Sequence, residues 1–164
     1  MKIVKGDLIK LAEQGVFDLI VQGCNCFHTQ SSGLAGQLAR KYPQVLEADK
    51  TQSKYGDKEK LGKSTEVNIE VGETTFIVIN VYTQYFFGLG KDVFEYDAFR
   101  EFLNNYAATI TSAIWLYPDK INIGFPMIGA GLACGDWSRI SKMIEEFSER
   151  VKDFAEVTVV EYQP

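Results

Sequence analysis

Two cysteines and the single histidine lie close together at Cys24, Cys26 and His28, and a third cysteine follows at Cys134. Thiolates and imidazoles are typical zinc ligands, but structural zinc sites usually separate paired cysteines by two to four residues. Only one residue separates Cys24 from Cys26. We therefore expect no metal here, and we expect the cysteines to be small packing residues beside a ligand.

Covalent phosphatase and hydrolase chemistry also lacks its usual residues. Cys134 is followed by Arg139, one residue too early for the usual loop around a catalytic thiolate, and no D-x-D pair is present. His28 has no nucleophile elbow to serve in a Ser-His-Asp triad. A lone histidine is more often structural than catalytic. Its position in a loop of small residues after a strand nevertheless favours a functional role for His28, because ligands of open α/β sheets bind at strand ends.

A glycine-rich segment, Ile123–Trp137, follows the pattern of a strand, a loop and a helix. Alternating apolar residues end at Phe125, three glycines follow, and Asp136 opens a strongly periodic helix. Such a loop presents unpaired backbone N–H groups, and the positive end of a helix dipole favours an anion. The segment is consistent with a phosphate site or with a simple turn.

A second loop of this kind occurs about a hundred residues earlier. The apolar run Phe17–Val21 predicts a buried strand, and the loop Gln22–Ala35 is rich in small residues. Ser31 and Ser32 are natural N-caps for the helix that follows. Two loops of this type, facing each other, suit a diphosphate better than a single phosphate.

These loops require a sheet with helices on both faces. A hairpin is predicted at Gly72–Glu73, which makes the sheet mixed, and Lys50–Lys63 is expected to be a surface loop. The aromatic loop Thr83–Glu95, which includes Gly88, either covers a ligand or anchors itself to the core.

The predicted strands are Met1–Lys5, Phe17–Val21, Thr65–Val71, Thr75–Tyr82, Ile121–Phe125 and Glu156–Tyr162. Helices are predicted from Leu8 (a short one), from Leu34, over Gln44–Asp49 and from Asp136 to Val151. A long helix capped by Asp97 is also predicted; it includes Ala113 and Ile114, and Pro118 follows its end.

The sequence therefore predicts one α/β domain over residues 1–164, a three-layer α/β/α sandwich with a mixed central sheet. Hydrophobic residues make up 46% of the chain and charged residues 24%, which is ordinary for a globular protein. No apolar run approaches the ~20 residues of a membrane span, and no signal peptide is evident. The net charge of −5 argues against a groove for long nucleic acid. The odd cysteine count favours the cytoplasm.

Three segments in combination resemble a macro domain: G-D-L from Gly6, Q-G-C-N-C-F-H-T with S-S-G-L-A from Gln22, and F-P-M-I-G-A-G-L-A-C-G-D-W from Phe125. The resemblance spans nearly the whole chain. It is greatest to the branch that contains ADP-ribose 1″-phosphate phosphatases and small ADP-ribosyl hydrolases.

The resemblance implies a site for ADP-ribose. Asp7 would accept the adenine amino group, the Leu8 amide would meet the ring, and Tyr162 would pack on the adenine. Asn25 would bind the distal ribose. The diphosphate would lie between two loops, made by Ser31, Ser32, Gly33, Leu34 and Ala35 on one side and by Ile128, Gly129, Ala130, Gly131 and Leu132 on the other.

The chain departs from the family pattern in its candidate chemistry. Members that use a lysine nucleophile place it after the strand Thr75–Tyr82, where this chain has Thr83 and Gln84. The matching aspartate falls at Ala133. Covalent lysine chemistry is therefore not expected. Ser31 and Ser32 also replace the more usual glycines at the start of the first phosphate loop.

The resemblance implies hydrolysis of the terminal phosphate of ADP-ribose 1″-phosphate, with water as nucleophile and without a cofactor. His28 would orient the water or protonate the leaving group, and Asp136 would assist or would only cap its helix. Two alternatives remain open: a non-catalytic reader of ADP-ribose, and a hydrolase that removes ADP-ribose from modified protein or nucleic acid.

Overall fold

The computed structural model describes residues 1–87, 90–112 and 119–164. Its strands form one sheet at the centre of the molecule. They are β1 (Lys2–Gly6), β2 (Leu19–Cys24), β3 (Ser64–Val71), β4 (Thr74–Tyr82), β5 (Ile121–Pro126) and β6 (Ala155–Tyr162).

The six strands lie in the order β1-β6-β5-β2-β4-β3. All neighbouring pairs are parallel except β3 and β4, which are antiparallel. The connection between β3 and β4 is the predicted two-residue turn, in which Gly72 has a φ of 60° that favours glycine. The prediction of a mixed sheet with this hairpin is confirmed.

In the described ranges, the two faces of the sheet are covered by the helices α1 (Leu8–Glu13), α2 (Gly33–Lys41), α3 (Pro43–Gln52), α4 (Tyr96–Ser112) and α5 (Trp137–Val151). Buried residues of α1, α2 and α3 form one apolar cluster with the sheet, and those of α4 and α5 form the other. The predicted three-layer α/β/α sandwich is thus confirmed. No helix in the described ranges is both long and apolar enough to cross a bilayer.

Some element boundaries differ from the prediction. Helix α4 begins at Tyr96, so that Asp97 lies in its first turn and is not its cap. Helix α3 extends to Gln52, and a short 3-10 helix at Lys58–Lys60 follows. The segment Lys50–Lys63 is therefore not a simple surface loop, and Lys60 is only 5% exposed within it. The predicted features at Gly88, Ala113, Ile114 and Pro118 lie outside the described residues.

Candidate functional site

The five mutually parallel strands end at the same edge of the sheet, and a two-part cleft opens there. One part is a polar cavity of about 430 Å³ beside the ends of β2 and β4. The other is a more apolar cavity of about 510 Å³ beside the ends of β1 and β6. The two cavities have five lining residues in common: Gly33, Leu34, Pro126, Met127 and Gly131. The cleft is therefore one continuous groove that is narrowed by two facing loops.

The first of these loops leads into α2 and leaves its amino end uncapped. Ser32 occupies the predicted N-cap position, with φ −138° and ψ 166°, but its hydroxyl makes no capping hydrogen bond. The first amides of α2 therefore remain available to an anion in the cleft. The loop lies close over the helix because Gly36 has no Cβ, which would come within 2.8 Å of the Ser31 carbonyl group.

Asn25 holds the other end of this loop. Its Oδ1 accepts hydrogen bonds from the backbone N–H of Phe27 at 2.8 Å and of Thr29 at 3.4 Å, and its Nδ2 donates to the Thr29 carbonyl at 2.8 Å. These bonds fold the backbone into a tight turn. Asn25 lines the polar cavity while it fixes the loop.

The second loop, between β5 and α5, is closed by its own backbone. Gly135 N–H donates to the Gly129 carbonyl at 2.7 Å, and Cys134 N–H donates to the Gly131 carbonyl at 3.0 Å. The N–H groups of Gly131 and Leu132 have no partner within the described part of the chain. They are a second set of donors, opposite those of α2.

All fourteen predicted ligand-binding residues line the cleft. Asn25, Ser31, Ser32, Ala35, Ile128, Gly129 and Leu132 line the polar cavity. Asp7, Leu8, Ala130 and Tyr162 line the apolar cavity, and Gly33, Leu34 and Gly131 line both. The structure therefore brings these residues together around one groove.

The two predicted catalytic residues lie elsewhere. Asp136 caps α5 by accepting a hydrogen bond from the Arg139 amide at 3.4 Å, and it lines neither cavity. A nine-residue loop separates β5 from Asp136, and the first residues of α5 line neither cavity, in contrast to those of α2. His28 also lines neither cavity.

His28 has a backbone φ of 51°, and its ring faces the cluster of buried polar residues around Asp49. Its Nε2 lies 3.2 Å from the Ser53 hydroxyl and 3.8 Å from Asp49 Oδ1, and its ring packs edge-on to Tyr55. Burial lowers the pKa of His28 below 6.5, although the Asp49 carboxylate opposes this shift. No residue pattern around His28 indicates this backbone conformation. The geometry does not support His28 as the group that acts on water in the cleft.

A buried cluster around Asp49 supports the first loop from below. Asp49 accepts hydrogen bonds from the Tyr82 hydroxyl at 2.7 Å and from Gln30 Nε2 at 3.0 Å. Lys60 Nζ lies 3.9 Å from the same carboxylate and donates to the Cys26 carbonyl at 3.3 Å. Because Gln30 immediately precedes Ser31, this cluster fixes the chain where it enters the segment that leads into α2.

The cysteines are not arranged as nucleophiles or as a metal site. Burial raises the pKa of the Cys24 thiol well above its usual value and that of Cys26 to about 11. Cys134 is exposed in the second loop, away from both. The described residues include no group of three or more His, Cys, Asp or Glu side chains that would hold a metal ion.

Several cleft residues were not predicted as ligand contacts. Thr83 and Gln84 follow directly on β4, and Phe87 brings the aromatic loop to the polar cavity. Gln22 lines the same cavity, and its Oε1 and the hydroxyl of Thr83 are buried without a hydrogen-bond partner among the described residues. Their position at strand ends was the available signal, since β2 and β4 were both predicted.

No protein-family model matches the chain. The chain is 35% identical over 164 residues to an uncharacterized 17.5 kDa protein in the tk-vs intergenic region of Enterobacteria phage T4, covering 100% of this chain and 97% of that protein. It is similar to the structure of a protein of unknown function from Bacteroides thetaiotaomicron, with 27% identity, 98% and 96% coverage of the two chains and a TM-score of 0.76.

Two further solved structures share the fold at lower identity. A macrodomain protein from Streptomyces coelicolor is 24% identical, with 99% of this chain and 98% of that chain covered and a TM-score of 0.65. Thermosipho africanus DarTG, solved in complex with ADP-ribose, is 17% identical, with 99% of this chain and 41% of that chain covered and a TM-score of 0.70.

Proposed function

We propose that this chain, which belongs to the same family as the uncharacterized 17.5 kDa protein of Enterobacteria phage T4 and has the macrodomain fold, binds ADP-ribose and its derivatives. The solved DarTG structure with this fold contains ADP-ribose. That ligand has a base and a ribose at one end, a diphosphate in the middle and a second ribose at the other end.

The observation that carries the proposal is the junction of two unlike cavities at two loops with free amides. The apolar cavity beside Asp7 and Tyr162 suits the adenine, because Tyr162 is 64% exposed there and offers a ring to pack on. The uncapped end of α2 and the free amides of Gly131 and Leu132 suit the diphosphate. The polar cavity beside Asn25 then takes the distal ribose.

The finer proposal is that the protein hydrolyses the terminal phosphate of ADP-ribose 1″-phosphate. A phosphate on the distal ribose would lie in the polar cavity, whose volume of about 430 Å³ exceeds the needs of the sugar. The described residues that line this cavity include no Asp, Glu, His, Lys or Arg. Water would therefore attack with the help of positioning and of backbone donors, and not of a side-chain acid or base.

The same lack of Asp, Glu, His, Lys and Arg among the described lining residues favours a second candidate, a reader that binds ADP-ribose on a modified macromolecule without releasing it. The two candidates differ only in turnover. Affinity for ADP-ribose is expected of both.

Calorimetry with ADP-ribose in the presence of EDTA tests binding directly. We expect 1:1 stoichiometry that does not depend on added metal. The proposal would be contradicted if millimolar ADP-ribose produced neither binding heat nor thermal stabilisation.

Phosphate release from ADP-ribose 1″-phosphate, compared with release of ADP-ribose from mono-ADP-ribosylated protein, then distinguishes the enzyme from the reader. If phosphate release falls by about 10²–10⁴-fold in His28→Ala, the histidine has a chemical role despite its position.

A further inference from the structure

Gln37 is a polar residue of the apolar cavity that holds no other group in the free protein. It lies in α2, it is half-buried, and it lines the cavity proposed for adenine. Its amide makes no hydrogen bond with the part of the chain that the structure describes. An amide that lines a cavity and has no partner in the free protein is available to a ligand there.

The helices α1 and α2 flank this cavity with their amino ends. Their first residues, among them Leu8 and Leu34, line it. At their carboxyl ends the two helices are joined, because Lys41 Nζ lies 2.5 Å from Glu13 Oε1. Both helices therefore lead away from the cleft in the same direction, with facing sides.

The side of α2 that faces α1 carries Gln37. Leu34, Gln37 and Lys41 are three and four residues apart, so they lie on one face of the helix. Leu34 lines the cavity at one end of this face, and Lys41 contacts α1 at the other. Helical side chains lean toward the amino end of their helix, so the side chain of Gln37 leans toward the cavity.

Among the described residues that line the cavity, Asp7, Gln37 and Tyr162 have polar side chains. Asp7 uses Oδ1 to cap α1, and its carboxylate can only accept hydrogen bonds. A tyrosine ring that packs flat on a base keeps its hydroxyl in its own plane, away from the edge of the base. Gln37 is therefore the lining side chain that can donate a hydrogen bond to that edge.

We propose that Gln37 Nε2 donates a hydrogen bond to one of the two ring nitrogens that flank the amino group of adenine. Adenine presents a donor beside an acceptor, and a glutamine amide offers the complementary pair. A carboxylate at Asp7 would recognise any amino group, whereas the amide adds the ring nitrogen next to it. The inference rests on the proposed function, and it adds a side chain that selects the base.

Gln37→Met tests the proposal, because methionine is unbranched, favours helix and cannot donate. We expect the midpoint of thermal unfolding without ligand to stay nearly the same, since the amide has no partner in the described part of the free protein. The Kd for ADP-ribose should increase by roughly 3- to 10-fold, the effect of one lost hydrogen bond. Gln44→Met makes the same change at an exposed position of α3 that lines neither cavity, and it should leave the Kd unchanged.

The 1-deaza and 7-deaza analogues of ADP-ribose, in which carbon replaces one ring nitrogen, separate this contact from general packing. For one of them, Gln37→Met should change the Kd by less than about twofold, because the acceptor is already missing. An unchanged Kd for ADP-ribose in Gln37→Met, or an equal loss for ADP-ribose and both analogues, would overturn the inference while the proposed function stands. If the parent protein does not bind ADP-ribose, the proposed function is wrong and this inference is wrong with it.

Discussion

Gly131 is the residue at which ligand binding is most easily separated from folding. It lines both cavities, and a Cβ at this position would meet no atom within 4 Å. Its backbone also lies outside the left-handed region, in contrast to Gly33, which has a φ of 58°. A side chain at Gly131 would therefore enter the open cleft without straining the backbone. A side chain at Gly33 would also enter the cleft, but it would strain the backbone.

Gly131→Glu is expected to abolish binding of ADP-ribose and to leave the free energy of unfolding nearly unchanged. The carboxylate would occupy the space proposed for the diphosphate and repel it. Calorimetry and urea unfolding measure the two effects. Gly131→Ala is the size control and should keep most of the affinity, and native affinity in Gly131→Glu would show that the diphosphate binds elsewhere.

Asp7 combines a structural contact with a proposed ligand contact. Its Oδ1 caps α1 by accepting from the amides of Ile9 at 3.0 Å and Lys10 at 3.2 Å. Asn caps helices about as well as Asp, so Asp7→Asn should retain stability. The second carboxylate oxygen of Asp7 is replaced by the Nδ2 amide group, which is a donor and would face the adenine amino group, also a donor. We therefore expect the binding free energy for ADP-ribose to weaken by about 1–3 kcal/mol.

Inosine diphosphate ribose is the control for Asp7→Asn. Its base has an oxygen in place of the adenine amino group, so the variant should prefer it to ADP-ribose, and the parent protein should not. Competition calorimetry with both ligands measures this preference. An unchanged preference would restrict Asp7 to the helix cap.

At the scale of elements, α3 supports the cleft from beneath through Asp49, which is fully buried. Asp49→Ala should lower the free energy of unfolding by about 3–5 kcal/mol, because it leaves the Lys60 ammonium buried without its carboxylate. Glu47→Ala, on the exposed side of the same helix, should change stability by no more than about 0.5 kcal/mol. Urea unfolding of both variants tests the difference, and equal effects would mean that the cluster contributes little.

The strands and the cleft were predictable from the sequence, but the cluster around Asp49 was not. Apolar alternation and glycine-rich loops are patterns of neighbouring residues, and they identified the hairpin at Gly72 and the two loops that face each other across the cleft. The cluster joins Lys60 and Tyr82 to Asp49 from separate segments of the chain, and local patterns do not report such contacts. The position of His28 likewise depends on contacts with Ser53 and Asp49, which are distant from it in sequence.

For the molecule as a whole, the largely buried imidazole of His28, with a side chain that is 12% exposed, predicts how stability depends on pH. The pKa of His28 is lowered in the folded protein from 6.5, mainly by burial. As pH falls through about 6.5, the unfolded chain takes up the proton first. The contribution of the neutral His28 imidazole to the free energy of unfolding is therefore complete above that pH. It is lost as the pH falls through the pKa of His28 in the folded state.

We expect the free energy of unfolding to decrease between pH 7.5 and pH 5 by more in the parent protein than in His28→Gln. Urea unfolding at several pH values provides the measurement. The carboxylates titrate mostly below this range, so they should affect both proteins equally. Identical pH profiles would show that His28 is not held in its neutral form.

The pairing of β1 with β6 has a consequence for the order in which the molecule folds. Ile3 lies opposite Val159, and the Gln163 N–H donates to the Gly6 carbonyl at 2.8 Å. Contacts between segments so distant in sequence require closure of a very long loop, which makes them slow to form. Asp7 and Tyr162, at the ends of these two strands, face the same cavity. The half of the cleft proposed for adenine should therefore become competent only after this closure, later than the half beside the adjacent strands β2 and β4.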